Sequence, residues 1–86
     1  MKGGKGTMLV EEALKEILIE KIEITPDEFK PEAKLADDFG VDSTELVEII
    51  LSLEKALGIK IPEGIIKKNF SIKEIVEITK ERVALA

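Results

Sequence analysis

The chain has 86 residues, with thirteen Lys and Arg against eighteen Asp and Glu for a formal net charge of −5, and it contains neither His nor Cys. That length supports one domain burying only about 60% of its unfolded surface, and the acidity opposes binding to phosphate backbones or anionic membranes while favouring basic protein partners. Lacking imidazole and thiol, the chain has no disulfide, no usual base for a serine nucleophile and none of the usual nitrogen or sulfur ligands of zinc, so a self-sufficient enzyme and a metal site are both disfavoured.

Residues 1–6, rich in Gly and Lys, offer little to pack and are expected to form a flexible lead ahead of a single domain over residues 7–86. The lead has no apolar stretch of the secretory type, and no run in the chain approaches the ~20 residues of a bilayer span, so a cytoplasmic protein with no membrane insertion is expected. Thr7 reads as an N-cap, followed by Glu11 and Glu12 in the first turn and by Val10, Ala13, Leu14, Ile17, Leu18 and Ile22 at helical spacing. From Glu23 to Asp42 the periodicity lapses, Pro26 and Pro31 interrupt any helix, and Gly40 permits a tight turn. A connection this long in so small a domain is expected to be ordered, pinned by Phe29, Leu35, Phe39 and Val41.

The spacing predicts a second helix over Ser43 to Leu57, opened by an acidic capping box of Asp42 and Glu45 and ended by a left-handed Gly58. Leu46, Ile49, Ile50, Leu53 and Leu57 share its core face; Thr44, Val47 and Leu51 fall on the opposite side among Glu48, Glu54 and Lys55. Pro62 is expected to start a short third helix that Asn69 stops. Ser71 and Glu74 form an S-x-x-E box for the last helix, with Phe70 stapling onto Ile75 and a buried stripe of Ile72, Ile75, Val76, Thr79 and Val83. With no strand-like alternation of useful length, the fold class is all-α: a four-helix bundle with a long ordered loop between the first two helices and a short third helix.

Ser43 is the residue that capping alone does not use up. Ser and Asp are common at helix starts because they satisfy free backbone N–H groups. One oxygen suffices for that purpose, and Asp42 supplies it, leaving the Ser43 hydroxyl at the first helical position and facing solvent. A phosphate-bearing group attached there would lie at the positive end of the helix dipole. The nearby acids do not form a calcium loop. Counting back from Gly40 as the sixth position puts Leu35 first and Phe39 fifth, where oxygen ligands are required.

The stretch LADDFGVDSTELVEIILSLEKALGIKIPE, Leu35 to Glu63, resembles the acyl carrier proteins of fatty acid and polyketide synthesis, and the similarity extends more loosely from Thr7 to Arg82, through ITPDEF in the long loop. Its specific part is the D-S pair, the alternating acidic and apolar helix, and G-I-K-I-P. The resemblance implies a carrier rather than an enzyme, one that receives covalent 4′-phosphopantetheine from coenzyme A on Ser43 and bears acyl groups as thioesters on the distal thiol. A phosphopantetheinyl transferase would perform the attachment, with Asp42 recognised by that enzyme and helping to hold its metal ion. Thr44, Val47 and Leu51, flanked by Glu45, Glu48 and Glu54, would meet the basic docking patches of acyl-transferring and synthase enzymes. Leu46, Ile50, Ile61, Ile66 and Ile75 are the expected lining of a cavity for the acyl chain.

The sequence departs from the family at Thr44, where leucine or methionine commonly follows the serine, at Lys55 in place of an acid, and at Gly64, Lys67 and Lys68, which together make the third segment floppier and more basic. These departures make a carrier for a specialised lipid or polyketide as plausible as one for fatty acid synthesis. A free-standing, monomeric carrier is expected. The alternative is an unmodified or serine-phosphorylated helical interaction module, which would keep its function after Ser43→Ala.

Overall fold

The computed structural model describes the backbone of residues 5–85 and the side chains from Val10 to Leu85. It contains four α-helices: α1 (Lys5–Ile22), α2 (Leu35–Phe39), α3 (Ser43–Leu57) and α4 (Ile72–Leu85), with a 3-10 turn at Pro26–Glu28. Helix α1 is continuous from Lys5, so Thr7 lies inside it and the helix takes in the last two residues of the expected lead. The side chain of Thr7 and residues 1–4 lie outside the described residues.

Helix α1 packs against both α3 and α4. Its Val10, Leu14 and Leu18 are buried with Ile49 and Leu53 of α3 and Ile72, Ile75 and Val76 of α4, in one aliphatic core. The stripes expected from periodicity are therefore the ones that pack. Thr79, in the α4 stripe, is completely buried, and its hydroxyl donates to the Ile75 carbonyl at 2.7 Å, so no polar atom is stranded.

The long connection is ordered by its own apolar residues: Leu35 and Val41 are buried, and Phe29 and Phe39 pack half-buried against the core. It also contains a helix, α2, where the sequence predicts only loop. Five residues form α2, with the Asp38 carboxylate accepting from Lys34 N–H at 2.7 Å at its start and Gly40 in the left-handed region (φ 69°) at its end.

The short third helix expected after Pro62 does not form. Residues 62–71 make turns instead, with Ile65 N–H donating to the Pro62 carbonyl at 3.3 Å and Phe70 N–H to Lys67 at 3.0 Å. Gly64 has φ 89°, which interrupts a right-handed helix, and a segment this short has little to repay the cost of nucleation. Tertiary pairing ties this end of the chain to the first connection: Ala36 N–H donates to Lys68 O at 2.9 Å, and, at the start of α4, Ile72 N–H to Ala33 O at 2.8 Å and Lys73 N–H to Pro31 O at 2.9 Å. The two connections thus hold each other, and the first of them satisfies free N–H groups at the start of α4. The Ser71–Glu74 box completes that end, with Ser71 N–H donating to Glu74 Oε1 at 2.8 Å and Glu74 N–H to Ser71 Oγ at 3.2 Å. Phe70, the expected staple, packs half-buried against the core cluster that includes Ile75.

Candidate functional site

The start of α3 is built by Asp42. Its backbone is extended, Oδ1 accepts from Glu45 N–H at 2.8 Å, and Glu45 Oε1 accepts from Asp42 N–H at 3.2 Å. Two backbone donors are thereby satisfied reciprocally. Ser43 is the first helical residue, exposed, and its hydroxyl takes no part in that exchange. It stands free at the positive end of a helix of 15 residues.

Beside Ser43 lies an open, mainly apolar groove of about 420 Å³ between α3 and residues 61–68. The half-buried Leu46 and Ile50 form one wall and the buried Ile61 and Ile66 the other. Ile75 does not reach this groove: it is 1% exposed in the core on the α4 side. Helix α4, which carries Ile75, packs on α1, and the far wall of the groove comes from the 61–66 segment. Lys67 and Lys68 flank it together with Glu63. A hollow of about 520 Å³ lies between α1, Phe29 and α4, but charged Glu11, Lys73, Glu77 and Lys80 line it and Ser43 does not.

On the outer face of α3, Val47 is 54% and Leu51 57% exposed, with exposed Thr44 and Glu48 alongside. Two of the three expected acidic rim residues also have internal duties. Glu45 belongs to the capping box, and Glu54 Oε2 accepts from Ile61 N–H at 2.7 Å. The sequence pattern carried a signal for the first in its spacing from Asp42 and none for the second, which spans seven residues across a turn. Among the described residues no group of three or more acidic, His or Cys side chains could hold a metal ion, and no helix is long and apolar enough to cross a membrane.

The start of α3 thus leaves an exposed hydroxyl beside an apolar groove. Residues 12–78 match the family described as "Phosphopantetheine attachment site". The chain is 36% identical over 69 residues to an acyl carrier protein of Campylobacter hominis, covering 80% of this chain and 87% of the relative. It is 33% identical over 69 residues to the acyl carrier protein of Campylobacter fetus subsp. fetus, covering 80% and 90% respectively. A Nitratidesulfovibrio vulgaris acyl carrier protein is 33% identical over 70 residues, 81% of this chain and 92% of that one. The chain belongs to the acyl carrier protein family, whose members carry acyl groups on covalent 4′-phosphopantetheine and are not themselves enzymes.

Proposed function

We propose that Ser43 is the residue that bears 4′-phosphopantetheine and that the groove beside it receives the acyl chain. The observation that carries this reading is the division of labour at the start of α3: Asp42 and Glu45 complete the cap, and the neighbouring Ser43 hydroxyl stays exposed at the groove. The residues present fit the group. A hydroxyl is available for esterification, the helix start favours an anion beside it, and Leu46, Ile50, Ile61 and Ile66 offer apolar surface within one groove.

When attached, phosphopantetheine supplies a terminal thiol on a long arm, to which acyl groups are bound. The chain's own contributions are simpler. Ser43 supplies the acceptor oxygen, and with no His or Cys in the sequence the base that removes its proton comes from a phosphopantetheinyl transferase. Asp42 holds the helix start in shape and offers a carboxylate to that enzyme. The groove shields an apolar chain from water at a gain of about 25 cal/mol per Å² buried. Exposed Val47 and Leu51, with Glu48 beside them, form a small docking strip for cationic rims of acyl-transferring and synthase enzymes. Charges around such a strip speed encounter, and its small apolar area keeps release fast. A cytoplasmic location accords with partners of that kind.

The test is intact-protein mass spectrometry after incubation with coenzyme A, Mg²⁺ and a promiscuous phosphopantetheinyl transferase. One added phosphopantetheine on the wild type and none on Ser43→Ala supports the assignment. Addition to Ser43→Ala moves the site elsewhere, and no addition to the folded wild type makes the chain an unmodified interaction module.

A further inference from the structure

The charged side chains that line the hollow beside Ser43 are Glu54, Glu63, Lys67 and Lys68, and their signs are sorted along it. At one end Glu54 Oε2, in the last turn of α3, accepts from Ile61 N–H at 2.7 Å, and Glu63 follows two residues on. The other end is fixed by backbone bonds. Lys68 O accepts from Ala36 N–H at 2.9 Å, Leu35 O accepts from Val41 N–H at 3.0 Å, and Val41 leads directly into Asp42 and Ser43. The segment 61–68 therefore runs back along α3, with both acids towards the end of that helix and both lysines towards its start. Lys67 and Lys68 are exposed and are the only cations in the lining.

We propose that Lys67 and Lys68 are positioning residues that pair with the phosphodiester of the arm on Ser43 and so set the side of α3 on which the arm leaves. This rests on Ser43 being the attachment residue. Esterification puts a monoanion directly on the Ser43 oxygen, at a helix start that favours negative charge. The carboxylates of Asp42 and Glu45 are held close by in the cap, so a phosphate without cations near it would face like charge. The residue type suits the task. An ammonium on a flexible stem can follow a moving phosphate, where a guanidinium would grip it through two fixed bonds. In solvent each such pair is weak, so the arm is biased towards the side of the lysines and still leaves it for an enzyme. The two lysines, which depart from the family pattern, thereby act on the chain's own prosthetic group rather than on a partner.

The experiment is a thermodynamic cycle: urea titration of the wild type and of Lys67→Gln/Lys68→Gln, each with and without phosphopantetheine. Comparing loaded with unloaded protein removes whatever the lysines do within the fold itself. At low salt, loading is expected to raise the folding equilibrium constant of the wild type about two- to fivefold more, per lysine, than that of the double variant. The excess should vanish at about 1 M salt, where the screening length falls to about 3 Å. Lys67→Arg/Lys68→Arg should keep the excess, and so should Lys73→Gln/Lys80→Gln, which removes the same charge beside the hollow on α4. The phosphorus NMR resonance of the loaded protein gives a second reading: wild type and glutamine variant should differ when folded and coincide when unfolded in urea. The proposal is overturned if loading stabilises the glutamine variant as much as the wild type, if the excess survives high salt, if the Lys73 and Lys80 variant loses it equally, or if the folded phosphorus resonances coincide. Failure to load at Ser43, seen by mass before either reading, overturns the attachment assignment instead.

Discussion

Asp42 does two jobs that two substitutions can separate. In Asp42→Ala the acceptor for Glu45 N–H at 2.8 Å disappears and the reciprocal box is broken, which costs about 1 kcal/mol. In a domain of this size that lowers the melting temperature by about 4–8 °C. Asp42→Asn keeps an oxygen in the same place, and Asn is as good a cap as Asp. It loses only the attraction of an exposed charge for the helix dipole, about 0.3–1 kcal/mol at low salt. Thermal unfolding should therefore rank wild type, then Asn, then Ala, with the gap between wild type and Asn shrinking as salt is added. The loading rate with coenzyme A and transferase should follow a different order. If the enzyme reads the negative charge, Asn and Ala slow equally even though one is nearly as stable as the wild type. An Ala variant as stable as the wild type would refute the capping argument, and an Asn variant loaded at the wild-type rate would refute the recognition argument.

Ser43→Ala should shift stability by less than about 0.5 kcal/mol, as expected for an exposed position outside the cap, so a urea titration should overlay the wild type while loading is abolished. Glu23 occupies the left-handed region at φ 59°, a conformation costing a non-glycine residue about 1–2 kcal/mol. Glu23→Gly removes that cost and adds about 0.5–1 kcal/mol of chain entropy, so a net gain of up to about 1.5 kcal/mol is expected in the same titration, and a loss would contradict it. Leu53 is completely buried in α3, and Leu53→Ala should cost about 2–5 kcal/mol, a large share of the roughly 5–15 kcal/mol typical of a domain. A circular dichroism melt checks this, and an unchanged midpoint would place Leu53 outside the cooperative core.

The helices legible in the sequence were those with a period and a punctuation mark. Helix α3 had both, in Asp42 with Glu45 and in Gly58, and its boundaries in the structure agree with the spacing. Helix α4 had the Ser71–Glu74 box and a stripe running from Ile72 through buried Thr79 to half-buried Val83. The short elements show no period, and there the structure departs from the local signals. Leu35–Phe39 is too brief to show a period, and its ends depend on Asp38 reaching Lys34 and on Gly40 turning left-handed. The stretch after Pro62 had an apparent start signal, but its backbone closes only isolated turns, its Lys68 carbonyl pairs across the fold with Ala36, and Gly64 at φ 89° turns the chain the other way.

The candidate site divides along the same line. That Asp42 satisfies the cap and leaves Ser43 over is a local matter, settled within four consecutive residues, because capping bonds close over three positions of chain. The amphipathic period likewise separates the exposed Val47 and Leu51 from Ile49 and Leu53 without reference to anything distant. Which residues enclose the groove is not local. Ile61 and Ile66 reach it, and Ile75 does not, because α1 draws α4 to the far side of the core and the turns at 62–71 fold against α2. Burial marks a side chain as inside without saying which of two faces it meets, and only the packing of α1, α3 and α4 decides that. The bond from Ile61 N–H to Glu54 belongs to the tertiary structure for the same reason: nothing in either residue's neighbours along the chain requires it, and it exists because the turn after Gly58 brings that amide back over α3.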